Sequence, residues 1–186
     1  MNPIEDLKIE HEAVQTTLKV LDSICKETDK TGEIANPEHL DQLMEFFMTF
    51  VDRCHHGKEE ELLFPALEAV GVSNQGGPIG VMLKEHQKGR DYVAKMKAAL
   101  LRYREGSREA AGALTDNARA YIALLNQHID KENNVLFTLA ENNLSDKKQL
   151  ELREGFEKIE TQKIGQGKHE AFHRMIASLE GIYLAH

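Results

Sequence analysis

The chain has 186 residues, enough for one domain with a sizeable core. Its net charge of −8 argues against a general nucleic-acid partner, and no apolar run approaches the ~18 residues that a membrane span needs. Cys25 and Cys54 make no disulfide framework, and Met1 to Asp6 show neither the basic nor the apolar part of a secretory signal, so a reduced cytoplasmic protein is expected.

Residues 4–29 predict a first helix, with Ile4, Leu7, Val14, Leu18, Leu21 and Ile24 at helical spacing and Thr31-Gly32 as its end. Asn36-Pro37 opens a second, with Asn36 as cap. It runs through Phe46, Phe47, Phe50 and His55 to Val70, with a disturbance expected at Pro65. After the loop Gly71 to Gly77, Pro78 starts a third helix that ends near Glu105-Gly106. Ser107 is the expected cap of the fourth, which carries Tyr121 and His128 and stops at Asn142-Asn143. Ser145 begins a shorter helix to about Thr161, and Gly165 and Gly167 hinge a last one from His169 to Tyr183. Period-2 alternation is almost absent. The expectation is therefore an all-α protein: an up-down-up-down four-helix bundle over residues 1–144, with a helical extension over 145–186 packed on it.

Two stretches organise this pattern. His55-His56-Gly57-Lys58-Glu59-Glu60-Glu61-Leu62-Leu63-Phe64 and His128-Ile129-Asp130-Lys131-Glu132-Asn133-Asn134-Val135-Leu136-Phe137 share H-x-x-K-E-x-x, then two aliphatics and a Phe. Upstream, Leu7-Lys8-Ile9-Glu10-His11 resembles Met82-Leu83-Lys84-Glu85-His86; 44 residues separate His11 from His55, and 42 separate His86 from His128. The chain reads as two copies of one helical hairpin. Residues i and i+4 of a helix share a face, so each copy aims an imidazole and a carboxylate at the same place. Two packed hairpins would converge four histidines and two glutamates in the bundle core. Ionised carboxylates there need a counter-charge. Nitrogen and carboxylate donors without cysteine suit iron or manganese and tolerate zinc. His56/Glu60 also satisfies the i, i+4 spacing, but the repeat favours His55/Glu59.

The succession of an early His, then H-H-x-K-E-E-x-x-L-F-P, E-H and H-I-x-K-E-x-x-x-L-F resembles the bacterial hemerythrin-like (HHE cation-binding) domains, over about residues 4–142. The resemblance implies a non-haem di-iron site with dioxygen-related chemistry, whose metal ligands would be His11, His55, Glu59, His86, His128 and Glu132. Oxygen-carrying hemerythrins have a second His four residues after the third-helix His, where this chain has Arg90, and a long-loop Asp where it has Glu132. The resemblance is thus to the six-ligand branch, with a more open coordination sphere that leaves room for exogenous ligands.

Further residues carry expectations. His169 and His173 form another i, i+4 pair, and the last helix is expected to dock through Phe172, Ile176 and Leu179 and bring one of them to the metals. Tyr121 is expected in the core with its hydroxyl in reach of a bound ligand, and Cys54 as a small buried hydrophobe. Glu10 and Glu85 each precede a site histidine and are expected to be solvent-exposed; His39 and His186 are read as surface residues. Functionally, these readings give a protein that binds dioxygen, nitric oxide or peroxide for sensing, storage or detoxification. The alternatives are a di-iron enzyme of oxidative or nitrosative stress defence and a bundle stabilised by zinc.

Overall fold

The computed structural model describes residues 2–165 and 167–185; among them the chain is predominantly helical and has no strand. Helices α1 (Pro3–Thr31), α2 (37–69), α3 (Pro78–Arg104) and α4 (110–143) build a bundle, followed by α5 (Asp146–Lys163) and α6 (Lys168–Tyr183). Short connections make successive bundle helices antiparallel. No helix of the described residues is long and apolar enough to cross a membrane.

The helix ends follow from local chemistry. Asn2 Oδ1 accepts the Ile4 N–H at 2.9 Å, Pro3 fills the first turn, and Gly32 closes α1 at φ 73°. Ser145 caps α5 by accepting the Lys148 N–H at 3.3 Å. Two expected caps differ. Asn36 precedes α2, but its side chain makes no cap bond. Ser107 contributes its carbonyl rather than its hydroxyl, taking the Ala110 N–H at 3.1 Å in a turn ahead of α4.

Both bundle helices that carry the H-x-x-K-E motif widen into a π turn at the motif. The Phe64 N–H bonds the Glu59 carbonyl and the Phe137 N–H bonds the Glu132 carbonyl, five residues back in each case. A further π-helical stretch, Phe47–His56, precedes the first motif. Pro65 therefore does not interrupt α2. It falls just after the widened turn, where the clash of its ring with the preceding turn is relaxed. The proline is not the cause of the π turn, because α4 makes the same turn with Thr138 at the matching position.

The core has two apolar parts. One gathers Val14, Leu18, Phe47, Val51, Met96 and Leu125 among others; the second gathers Ile4, Leu7, Leu63, Phe64, Met82 and Phe137 among others. In α1 and α3 the site histidine falls between these parts: Leu7, His11, Val14 in α1, and Met82, His86, Val93 in α3. A layer of ionisable groups is thus walled above and below by apolar packing. The C-terminal helices complete the walls. Leu152, Phe156 and Ile159 of α5 are buried, with α5 packed on α1 and on the π-helical parts of α2, and α6 buries Phe172, Ile176, Leu179 and Tyr183 against α1 and the start of α2. His39 is half-buried rather than a surface residue, because its Nδ1 lies 2.7 Å from the Tyr183 hydroxyl. His186 lies outside the described residues.

Candidate metal centre

Five imidazoles and two carboxylates meet in this layer, all 4% exposed or less. They form two groups of atoms near enough to share an ion: His11, His55, Glu59 and Glu132, and His56, His86, His128 and Glu59. Glu59 spans them, with Oε1 3.5 Å from His55 Nε2 and Oε2 3.4 Å from His86 Nε2. So does Glu132, with Oε2 3.2 Å from His11 Nε2 and Oε1 3.1 Å from His128 Nε2. In each half two imidazole Nε2 atoms face each other, 2.9 Å apart for His11 and His55 and 3.1 Å for His86 and His128. All four oxygens of Glu59 and Glu132 are buried, yet none accepts a hydrogen bond. The facing imidazole nitrogens are thus within hydrogen-bond distance of each other, while the carboxylate oxygens between them are left without a partner. The choice between His55 and His56 dissolves, since neighbours on a helix point about 100° apart. His55 faces His11 of α1, and His56 stacks on His86 of α3 with ring centroids 3.7 Å apart.

In four of the five imidazoles the nitrogen opposite Nε2 is held; His56 Nδ1 makes no hydrogen bond and has Asp52 Oδ1 3.6 Å away. His55 Nδ1–H donates to Glu10 at 2.7 Å, and His128 Nδ1–H donates to Glu85 at 2.9 Å. Both glutamates were expected in solvent. Glu10 is only 8% exposed, because α1 turns it inward beside His11 to meet its own hairpin's second helix. The motif lysines hold these carboxylates in turn: Lys58 donates to Glu10 at 2.5 Å and Lys131 to Glu85. The other two contacts cross between hairpins. His11 Nδ1–H donates to Asn133 at 2.9 Å, and His86 Nδ1–H donates to Glu60 at 2.7 Å. Glu60 is in neither group; it serves His86 from behind. Such partners fix the tautomer and aim Nε2 inward. Phe137 stacks on His11 and Phe64 on His86, at centroid distances of 5.3 and 5.8 Å, which accounts for the Phe that closes each motif. Sequence reasoning missed Asn133, Asp52 and the part played by the lysines. The repeat register held the signal, since Glu60 aligns with Asn133 and Lys58 with Lys131.

The buried carboxylates and the imidazoles shift one another's pKa values. Burial works to lower His55, but the Glu59 charge and the bond to Glu10 outweigh it and raise the group to about 10. His128 is likewise pulled down by burial and raised by Glu132, to about 9, and His86 is held well above its ordinary value against burial by Glu132, Glu59 and Glu60. Burial and the neighbouring His86 push His56 down to about 3. Burial and Glu132 act to raise Glu59, yet His55 and His86 hold it down to about 2.

Four residues stand elsewhere. His169 lies against Phe50, ring centroids 5.7 Å apart, with Nε2 3.7 Å from Glu160, and His173 packs on His169. Neither joins the two groups, which corrects the expectation that α6 brings one of them to the metals. The apolar stripe of α6 docks on α1 and the start of α2, whereas the stretch of α2 beside the groups is covered by α5, whose Phe156 and Glu160 lie over Lys58. Tyr121 is buried against Phe47, centroids 4.9 Å apart, and lines a cavity that also reaches His56 and His86. Cys54 is 1% exposed, and burial pushes its thiol up to about 12, as a small buried hydrophobe requires.

A helical bundle with two buried His/Glu groups that share Glu59 has the side chains to hold cations. The comparison with known families agrees: residues 2–140 match the hemerythrin HHE cation-binding domain, and the chain belongs to that family. It is also 24% identical over 182 residues to uncharacterized proteins of Mycobacterium bovis and of two strains of Mycobacterium tuberculosis, covering 96% of this chain and 70% of each relative. No solved structure matches the chain.

Proposed function

We propose that the chain holds a non-haem di-iron centre that binds dioxygen or a related small ligand, nitric oxide or peroxide, for sensing, storage or detoxification. The observation that carries this reading is the set of four buried carboxylate oxygens with no hydrogen bond among five converging imidazoles. Such oxygens are costly unless cations meet them. His11 and His55 would hold one ion, and His56, His86 and His128 the other, with Glu59 and Glu132 shared. Imidazole and carboxylate donors without thiolate suit iron, with manganese and zinc as the competing ions. Bound there, iron would supply Lewis acidity and electron transfer toward a small ligand. The protein's part is to fix the imidazoles through Glu10, Glu60, Glu85 and Asn133 and to exclude water with the two phenylalanine plates. Two unpaired, buried cysteines fit a reducing compartment, and we place the protein in the cytoplasm.

Metal analysis and the near-ultraviolet spectrum of the aerobically purified protein test this reading. Two iron atoms per chain with the charge-transfer bands of a coupled di-ferric pair are expected; a colourless protein loaded with zinc would sink it in favour of a metal-stabilised bundle. The cavity reaching His56 and His86 favours a second reading, a di-iron enzyme of oxidative or nitrosative stress defence. Catalytic turnover of peroxide, rather than stoichiometric binding, would establish it.

A further inference from the structure

The second half of the centre opens on a cavity of about 480 Å³ between α2 and α3, whereas the cavity lined by His11 and His55 measures about 10 Å³. That volume is roughly sixteen times the ~30 Å³ that one water occupies in the liquid, far more than a diatomic gas or peroxide needs. It falls within the range of cavities that take organic ligands of about 300–1,000 Å³. Its walls are mostly carbon, from Phe47, Met48, Val51, Val93, Ala94 and Tyr121. His56 and His86, both buried, line one end and Ala94 and Lys97, both exposed, the other, with the paired Asp52 and Arg90, each about a third exposed, also in the wall.

Two details indicate what the cavity takes. Gly89 lines it from the interior of α3, where glycine costs about 1 kcal/mol relative to alanine. A Cβ there would make only an ordinary contact, 3.5 Å from the Tyr121 ring, so no close approach demands the glycine. Its effect is to leave the cavity wall bare. The other detail is charge. The Arg90 guanidinium is committed, donating to Asp52 and to Glu60 at 2.7 Å each. Lys97 is not: its ammonium reaches the Met48 sulfur at 3.4 Å, a weak acceptor, and among the described residues it pairs with no carboxylate. Lys97 lies 11 residues beyond His86 on α3, about 16 Å at 1.5 Å per residue, a span that suits a chain of about ten carbons.

We propose that this cavity binds an aliphatic carboxylate of medium chain length, its head group on Lys97 at the mouth and its tail running along Gly89 and Val93 toward His56 and His86. This gives the centre of the preceding section an organic ligand beside its second half, and it rests on that reading only for the meaning of the position, not for the binding itself.

Isothermal titration of the full-length, metal-loaded protein with decanoate tests it, with iron content measured on the same samples. Saturable binding of one decanoate per chain is expected. Ala94→Trp, at an exposed position, should abolish it while leaving the iron content and the circular dichroism of the protein unchanged. Lys97→Met should weaken decanoate roughly tenfold, and decanol should bind the wild-type protein correspondingly less well. Absence of saturable binding, undiminished binding in Ala94→Trp, or decanol binding as tightly as decanoate would each overturn the proposal. Decanoate binding to a protein that takes up no iron would overturn the di-iron reading and leave this one standing; iron loading without decanoate binding would do the reverse.

Discussion

The two halves of the centre come from one repeated hairpin, yet they differ in three ways. The half built on His11 and His55 has two imidazoles; the half built on His86 and His128 has a third, His56, because the position matching His56 in the second hairpin is Ile129. Behind His11 stands the neutral amide of Asn133, whereas behind His86 stands the carboxylate of Glu60, itself bonded to Arg90. The lysine behind His55, Lys58, is buried beneath α5 with Phe156 and Glu160 over it, while Lys131 behind His128 is 39% exposed. The first half is closed and sealed; the second has more nitrogen, a charged support and an opening. A duplicated frame has become a pair of unlike positions, one covered by α5 and the other beside a cavity.

Removing what the halves share should have the largest effect. Glu132→Ala should bring metal content close to zero, because both ions lose a ligand, whereas His11→Ala should remove chiefly one. Metal per chain, measured by mass spectrometry after dialysis, distinguishes these outcomes. Full occupancy in Glu132→Ala would mean that the shared carboxylates are not ligands at all.

The supports can be compared next. Partners that orient a ligand imidazole are worth roughly 10–100-fold in metal affinity. Glu60→Gln should fall in that range and act on the second ion, read as faster loss of one ion of the two to a chelator. Asn133→Ala should act on the first. If Glu60→Gln releases both ions together, the halves are not separable.

Lysine burial gives a third contrast. Lys58→Met removes one of the two partners of the buried Glu10 and leaves it only the His55 imidazole, and breaking such a buried pair costs up to about 3–5 kcal/mol. Lys131→Met acts on a partly exposed pair and should cost about 0.2–1 kcal/mol. Denaturant unfolding measures both, and equal costs would show that α5 does not seal the first half.

The pH dependence of the metal-free protein follows from the raised histidines. A histidine with a folded value above its unfolded 6.5 stabilises the fold fully below that pH and loses the contribution as pH rises through the folded value. With His128 raised to about 9 and His55 to about 10, metal-free protein should lose stability steadily between pH 6.5 and 10, as the protons facing Glu59 and Glu132 depart. Bound metal supplies that charge instead, so the loaded protein should hold its melting temperature over the same window. A flat profile for the metal-free form would contradict the pKa shifts described above.

Much of this was legible in the chain because helical periodicity and a duplicated motif carry long-range information. The spacing of His11, His55, His86 and His128 pointed to one convergent layer. The burial of Glu10 and the contact of Glu60 with His86 were not legible, since they depend on how far each helix is rotated about its axis. The position of His169 depended on where α5 lies, and an apolar stripe shows that a helix docks without showing which neighbour it displaces. The π turns left no compositional trace, and the proline that hinted at a disturbance stands in only one of the two copies.

That last asymmetry yields the smallest predicted effect. Proline inside a regular helix costs about 3 kcal/mol, through the lost N–H bond and the clash of its ring with the preceding turn. Pro65 is accommodated just after the π turn closed by Phe64 and Glu59, and α4 makes the matching turn between Phe137 and Glu132. The residue in register with Pro65 is Thr138, which is exposed. If the two turns are equivalent in backbone as well as in bonding pattern, Thr138→Pro should cost less than about 1 kcal/mol in denaturant unfolding and leave metal content unchanged, well short of the ~3 kcal/mol of a regular helix. A full proline penalty would show that the widened turn of α4 is tighter than that of α2, and that the first hairpin differs from the second in its backbone as well as in its side chains.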